Sequence, residues 1–172
     1  MNTNFLTPSI LILVVLLALV WLWLRMKFKR KPPALKYQKR RLFTKTETRF
    51  LFLLDEEFGS EFRILGKIRI ADVILPRTGL KREEWGRLFG KISSKHLDYV
   101  LADKVSMRPL CAIELNDKSH TQKNRKERDA FVAGALKSAG LPIVWVKEGK
   151  KYNMKQVGDE VRSKIQHAGG KI

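Results

Sequence analysis

The sequence predicts an α/β protein in which one N-terminal transmembrane helix precedes a mixed β-sheet flanked by helices. Three observations predict it. Residues Phe5 to Leu24 form an almost uninterrupted apolar run without a charge. Downstream, segments with apolar residues at helical spacing alternate with short β-rich runs, the pattern of helices packed on a sheet. Two of those runs, HLDYVLAD (96–103) and CAIELNDKSH (111–120), set acids among apolar neighbours at what should be the edge of a site.

As a helix the first run is long enough to cross about 30 Å of hydrocarbon. Trp21 and Trp23 fall at its C-terminal end, where indoles favour the interface, and Arg25, Lys27, Lys29, Arg30 and Lys31 follow. MNTN, before the run, carries no side-chain charge, and no small-residue cleavage site follows it, so an uncleaved anchor over residues 1–24 is expected. The positive flank places the N-terminus outside and the rest of the chain in the cytoplasm, at the cytoplasmic membrane. Residues 25–41 read as a basic juxtamembrane linker containing KPPALKYQ, whose paired prolines resist helix continuation. A soluble domain then occupies residues 42–172.

Within that domain, Thr44 with Glu47 has the spacing of a capping box, Phe50, Leu51, Leu53, Leu54 and Phe58 form an apolar face, and Gly59 ends the helix. Glu61 to Leu75 holds two β-rich stretches, FRILGKIRI and ADVIL, read as strand with a kink near Gly66 or Ala71. Lys81 to Gly90 predicts a short amphipathic helix carrying Trp85, Leu88 and Phe89. The two acid-bearing strands come next, joined by a hairpin through Lys104 to Pro109. Thr121 to Ala139 predicts a helix stopped by Gly140 and Pro142, LPIVWV a buried strand, and Met154 to His167 a last helix with Val157, Val161 and Ile165 on one face.

The net charge is +18, from 35 basic and 17 acidic residues. Nine of the basic residues and no acid lie between Arg25 and Arg41, so half the excess is juxtamembrane and is explained by topology and anionic headgroups. The other 26 basic residues leave +9 on the domain, which suits a phosphate-rich partner. The single cysteine, Cys111, excludes a disulfide within the chain and reads as a small core residue.

Strand side chains alternate faces, so Glu114 and Asn116 point one way while Ile113 and Leu115 enter the opposite layer. Asp98 and Glu114 both sit where burial would ordinarily select a neutral residue, and together they suit a hard cation such as Mg²⁺. Either acid alone is more commonly a solvated or salt-bridged strand end. His120 reads equally as a general acid or phosphate contact and as a capping group for the next helix.

With Asp98 on one central strand and Glu114-Leu115-Asn116 on the next, the domain resembles the restriction-endonuclease-like PD-(D/E)XK nuclease superfamily. The segments KISSKHLDYVL, AIELNDKSH, RKERDAF and AGLPIVWV look like a bacterial domain family of unknown function within that superfamily, one that often follows an N-terminal membrane anchor. The resemblance spans roughly Leu42 to Ile165. It implies that Asp98 and Glu114 bind Mg²⁺ or Mn²⁺, that the Leu115 carbonyl is a backbone ligand, and that Glu47 reaches the metal or its water. Glu47 equally reads as the capping-box partner of Thr44. Leu97 stands where proline would precede the first acid. Asn116 replaces the motif lysine that positions water and stabilises negative charge, a role for which Lys118, Lys95 and His120 are the candidate substitutes, while Asp117 is a candidate ligand for a second metal. Arg125 and Arg128, three residues apart on one helix, would face the site and bind nucleic acid if the family geometry holds, as would Lys95.

The reading is therefore a membrane-anchored cytoplasmic nuclease, an Mg²⁺-dependent endonuclease acting on DNA ahead of RNA. The alternative is an inactive nucleic-acid- or protein-binding module of the same fold. A lipid-surface adaptor would explain the linker but not the clustered Asp98, Glu114, Asn116 and His120.

Overall fold

The structure is a computed structural model that describes residues 8–27, 35–116 and 123–170, residues 9 and 123–125 by their backbone alone. The chain forms two units, Met1–Arg40 and Arg41–Ile172. In the first, helix α1 (Pro8–Lys27) is long and apolar enough to cross a membrane, and none of its stretch Ile10–Lys27 is buried in protein. At its C-terminal end the Arg25 guanidinium lies 4.7 Å from the Trp21 ring and the Lys27 amine 4.4 Å from the Trp23 ring. Cations stacked on indoles suit a water–lipid interface.

The second unit is a mixed α/β sandwich. Its elements are α2 (Lys45–Phe58), β1 (Phe62–Arg69), α3 (Ile70–Val73), α4 (Arg82–Ser93), β2 (His96–Asp103), β3 (Pro109–Asn116), α5 (Lys123–Ser138), β4 (Ile143–Lys147) and α6 (Met154–His167). The strands lie in the order β1-β2-β3-β4. β1, β2 and β3 run antiparallel, whereas β4, reached through the α5 crossover, is parallel to β3.

Each face of the sheet has its own core. On one, Phe50, Leu54 and Phe58 of α2 and Val161 and Ile165 of α6 cover Tyr99, Leu101, Cys111, Ile113 and Val144. On the other, Ile70, Ile92, Val132 and Leu136 pack with Leu97, Val100 and Ala112. Cys111 is buried in the first core, where desolvation pushes its thiol up to about 12.

Helix α2 begins and ends as its sequence requires. The Glu47 amide donates to Thr44 Oγ1 at 3.2 Å, the Thr44 amide donates to Glu47 Oε2 at 2.7 Å, and Gly59 is the C-cap. Two expectations are corrected. ADVIL does not continue the strand: residues 70–73 form a helical turn closed by the Ile74 amide on the Ile70 carbonyl at 3.0 Å. Arg69 already pairs with His96, the first residue of β2, and the Ile70 amide donates to the Lys95 carbonyl at 2.8 Å; beyond that point no strand lies opposite and the turn closes on itself. The helix expected over Lys81 to Gly90 instead runs from Arg82 through Gly90 to Ser93, which carries Ile92 into the core. The helix expected from Thr121 is described from Lys123 onward.

Candidate active site

Asp98 sits where the sheet pairing fails on both sides. The β2–β3 ladder stops at Tyr99 opposite Ile113, so the next pair in that register, Asp98 and Glu114, is not joined by backbone bonds. Asp98 Oδ2 instead accepts from the Leu115 amide at 3.0 Å, supplying the acceptor that the ladder no longer provides. On the β1 side, Gly66 pairs with Tyr99 and Ile68 with Leu97, while Lys67 drops out between them. Lys67, Asp98 and Glu114 thus form one row across β1, β2 and β3.

Lys67 has φ +54°, a left-handed conformation that non-glycine residues seldom adopt and that costs about 1–3 kcal/mol. Strict alternation breaks there: Leu65 and Ile68, three apart, both pack into the second core. The break brings the Lys67 ammonium between two acids, with Nζ donating to Asp98 Oδ1 at 2.7 Å and to Glu47 Oε1 at 2.6 Å. Gly66 makes room for the bend, since a Cβ there would meet Phe43 Cζ at 2.2 Å. Phe43 in turn stacks on Tyr99, with ring centroids 5.8 Å apart.

Glu47 is held from several directions. Burial pushes its carboxyl up, but hydrogen bonds from Lys67 and Thr44 outweigh burial and hold it below the usual range. The Tyr99 hydroxyl fixes the same turn of helix by donating to the Glu47 carbonyl at 2.7 Å. For Lys67, burial works against the ammonium and the two carboxylates more than offset it, so its basicity is raised.

Glu114 is only 8% exposed and is the single buried charged residue among those described. Burial first, then the Asp98 charge and a hydrogen bond to Asp98, push it up to about 8, with the Arg128 charge working in the opposite direction. Burial and the neighbouring Asp98 thus favour its protonated form, and two carboxyl groups this close together suit a cation that would relieve their repulsion.

The expected site residues therefore divide. Asp98 lies beside Glu114 and is linked to Glu47 through the Lys67 ammonium, and Arg128 on α5 lies within electrostatic reach of Glu114. Leu115 engages Asp98 through its amide. Asn116 ends β3 half-buried, its carbonyl accepting from the Glu148 amide at 2.9 Å. Lys95 is elsewhere: its amine donates to the Lys91 carbonyl at 2.6 Å and lies 5.5 Å from the Phe131 ring, closing the end of α4. Asp117, Lys118 and His120 lie outside the described residues, as does the side chain of Arg125. The member that the sequence reading missed is Lys67. Its one signal was a lysine that directly follows the only glycine of the strand FRILGKIR.

Asp98 and Glu114 offer hard oxygen donors of the kind Mg²⁺ and Mn²⁺ prefer, and Mg²⁺ is commonly held by only one or two carboxylates plus waters and substrate phosphate. Among the described residues no three or more His, Cys, Asp or Glu side chains are grouped to hold a metal. The residues thus fit a two-carboxylate cation site rather than a closed protein cage, and both oxygens of Glu47 are already engaged.

A mixed α/β domain with a carboxylate–ammonium cluster where its strands part is the class that these features define. The chain belongs to the family described as a protein of unknown function (DUF2726), whose model matches residues 39–165. No curated protein and no solved structure matches the chain.

Proposed function

We propose that this protein is a membrane-anchored nuclease of the restriction-endonuclease-like PD-(D/E)XK class, hydrolysing phosphodiester bonds of DNA with Mg²⁺ or Mn²⁺. The observation that carries the reading is the row Lys67–Asp98–Glu114, with acids on adjacent antiparallel strands and an ammonium beside them. The order helix, strand, two helical segments, two further strands each antiparallel to the one before, helix and parallel strand is compatible with the same fold. Helix α1 and the basic residues after it would hold the domain at the inner face of the cytoplasmic membrane.

In this reading Asp98 and Glu114 would hold the cation, which would supply charge neutralisation for the phosphodiester and Lewis acidity toward water. Lys67 supplies the positive charge that Asn116, in the motif lysine's place, does not. It stands beside the acids, where negative charge would build up on the phosphate. The Arg128 charge favours ionisation of Glu114, and in this reading Arg128 contacts the nucleic-acid backbone. Asp98 also orients β3 through the Leu115 amide, which fixes the spacing between the two acids.

A second reading, binding without cutting, is favoured by one observation: Lys67 is tied to two carboxylates and Asn116 offers no replacement cation. Nicking of plasmid and single-stranded DNA by the full chain in detergent, with Mg²⁺ or Mn²⁺, separates the two. The nuclease predicts cleavage that Asp98→Asn and Glu114→Gln abolish while folding is retained. Equal cleavage by the wild type and both variants would overturn the site. Salt-sensitive DNA retention without cleavage in any of them would establish the binding module.

A further inference from the structure

We propose that the Lys67 ammonium and a divalent cation compete for Asp98, so that cation binding releases Lys67 to act on the phosphate. The inference rests on the nuclease reading and goes beyond it by making Lys67 a mobile group rather than a fixed one.

Both Asp98 oxygens are occupied. Oδ2 accepts from the Leu115 amide and Oδ1 from Lys67. A cation approaching Asp98 must displace one of these donors or share its oxygen with it. The Leu115 amide is held in β3, next to Ile113 and Glu114, which pair with Val144 and Trp145 of β4. Lys67 is held by a four-carbon stem with free torsions, and its side chain is a quarter exposed. Two cations on one carboxylate oxygen repel, and the flexible one yields.

Displacement does not send Lys67 into solvent. Its second acceptor, Glu47 Oε1 at 2.6 Å, is anchored because Glu47 Oε2 accepts from the Thr44 amide at the start of α2. Glu47 is therefore the pivot that keeps the ammonium at the site while Asp98 turns to the metal. That gives the capping box a second use: it fixes a helix end and fixes the residue on which Lys67 turns. The left-handed backbone at Lys67 belongs to the same device, since it directs a strand side chain toward both α2 and Asp98.

The test is Mn²⁺ affinity by isothermal titration on the full chain in detergent, for the wild type, Lys67→Asn and Lys67→Gly. Asn and Gly both tolerate a left-handed backbone, so either variant keeps the local fold. Competition predicts that both variants bind Mn²⁺ more tightly, by about tenfold or more, the size of effect expected when a cation adjoining a carboxylate is removed. They also cut less. Wild-type binding with equal or weaker affinity in both variants would overturn the competition and leave the metal site standing. Absence of Mn²⁺ binding in all three would overturn the metal reading itself. A readout on the unmutated protein is acetylation of Lys67 by an N-hydroxysuccinimide ester, followed by mass spectrometry. Saturating Mg²⁺ should accelerate it severalfold, and an unchanged rate in a chain that binds Mg²⁺ would count against release.

Discussion

Replacing Glu114 by glutamine should make the protein more stable, and by an amount that grows with pH. Glutamine matches the shape of the protonated acid and can donate to Asp98 as that acid does, but it cannot ionise. The Glu114 carboxyl ordinarily titrates at 4.5 and is raised to about 8 in the fold by burial and by Asp98. Its folded form therefore binds a proton more tightly than its unfolded form. Stability from this group is fully present below the unfolded value and falls as pH rises toward the folded one, by up to about 1.4 kcal/mol per pH unit. Across the whole window the loss amounts to at most about 5 kcal/mol, and at pH 7 to about 3 kcal/mol. Chemical unfolding of wild type and Glu114→Gln, followed by near-ultraviolet circular dichroism in detergent from about pH 4 to pH 9, isolates the contribution of Glu114 and the Asp98 beside it, because groups remote from that pair cancel in the difference. The two curves should meet at the acid end and separate steadily up to about pH 8. A difference that does not change over that range would refute the claim that Glu114 is held protonated between burial and Asp98.

Three further outcomes follow from the same geometry. Gly66→Ala should destabilise by about 1–3 kcal/mol, because its Cβ would meet the Phe43 ring at 2.2 Å, and should disturb the stack on Tyr99; urea unfolding measures the first effect. Tyr99→Phe should cost about 1 kcal/mol through the lost bond to the Glu47 carbonyl and, if the nuclease reading holds, should lower nicking by loosening Glu47; unfolding and nicking assays on one preparation check both. If α1 spans the membrane, the chain should stay with membranes through alkaline carbonate extraction, whereas a variant with three leucines of α1 changed to lysine should be released.

Much of the fold was legible in the sequence because its signals are local. Thr44, Glu47 and Gly59 delimit α2 by hydrogen bonds within a few residues, and α6 follows the spacing of Val157, Val161 and Ile165. That Asp98 and Glu114 lie on adjacent strands was legible too, from two apolar runs joined by a short hairpin; Glu114 is buried as its apolar neighbours suggest, whereas Asp98 is half-buried. Residues 70–73 were not, because what decides them is where β2 begins, a tertiary fact that ADVIL does not contain. Lys67 was hidden for a related reason. Strand alternation assigns a lysine in FRILGKIRI to solvent, and only a left-handed residue beside Gly66, packed under Phe43 and facing α2, turns it inward. In the nuclease reading the same residue would supply, from another strand, the positive charge that Asn116 lacks.

The most direct test of this account is an anomalous-difference map from crystals of the protein grown with Mn²⁺. One strong peak is expected between the Asp98 and Glu114 carboxylates, with Lys67 moved off Asp98 and still bonded to Glu47. Crystals in which Lys67 stays between Glu47 and Asp98 and no Mn²⁺ lies at Glu114 would contradict it.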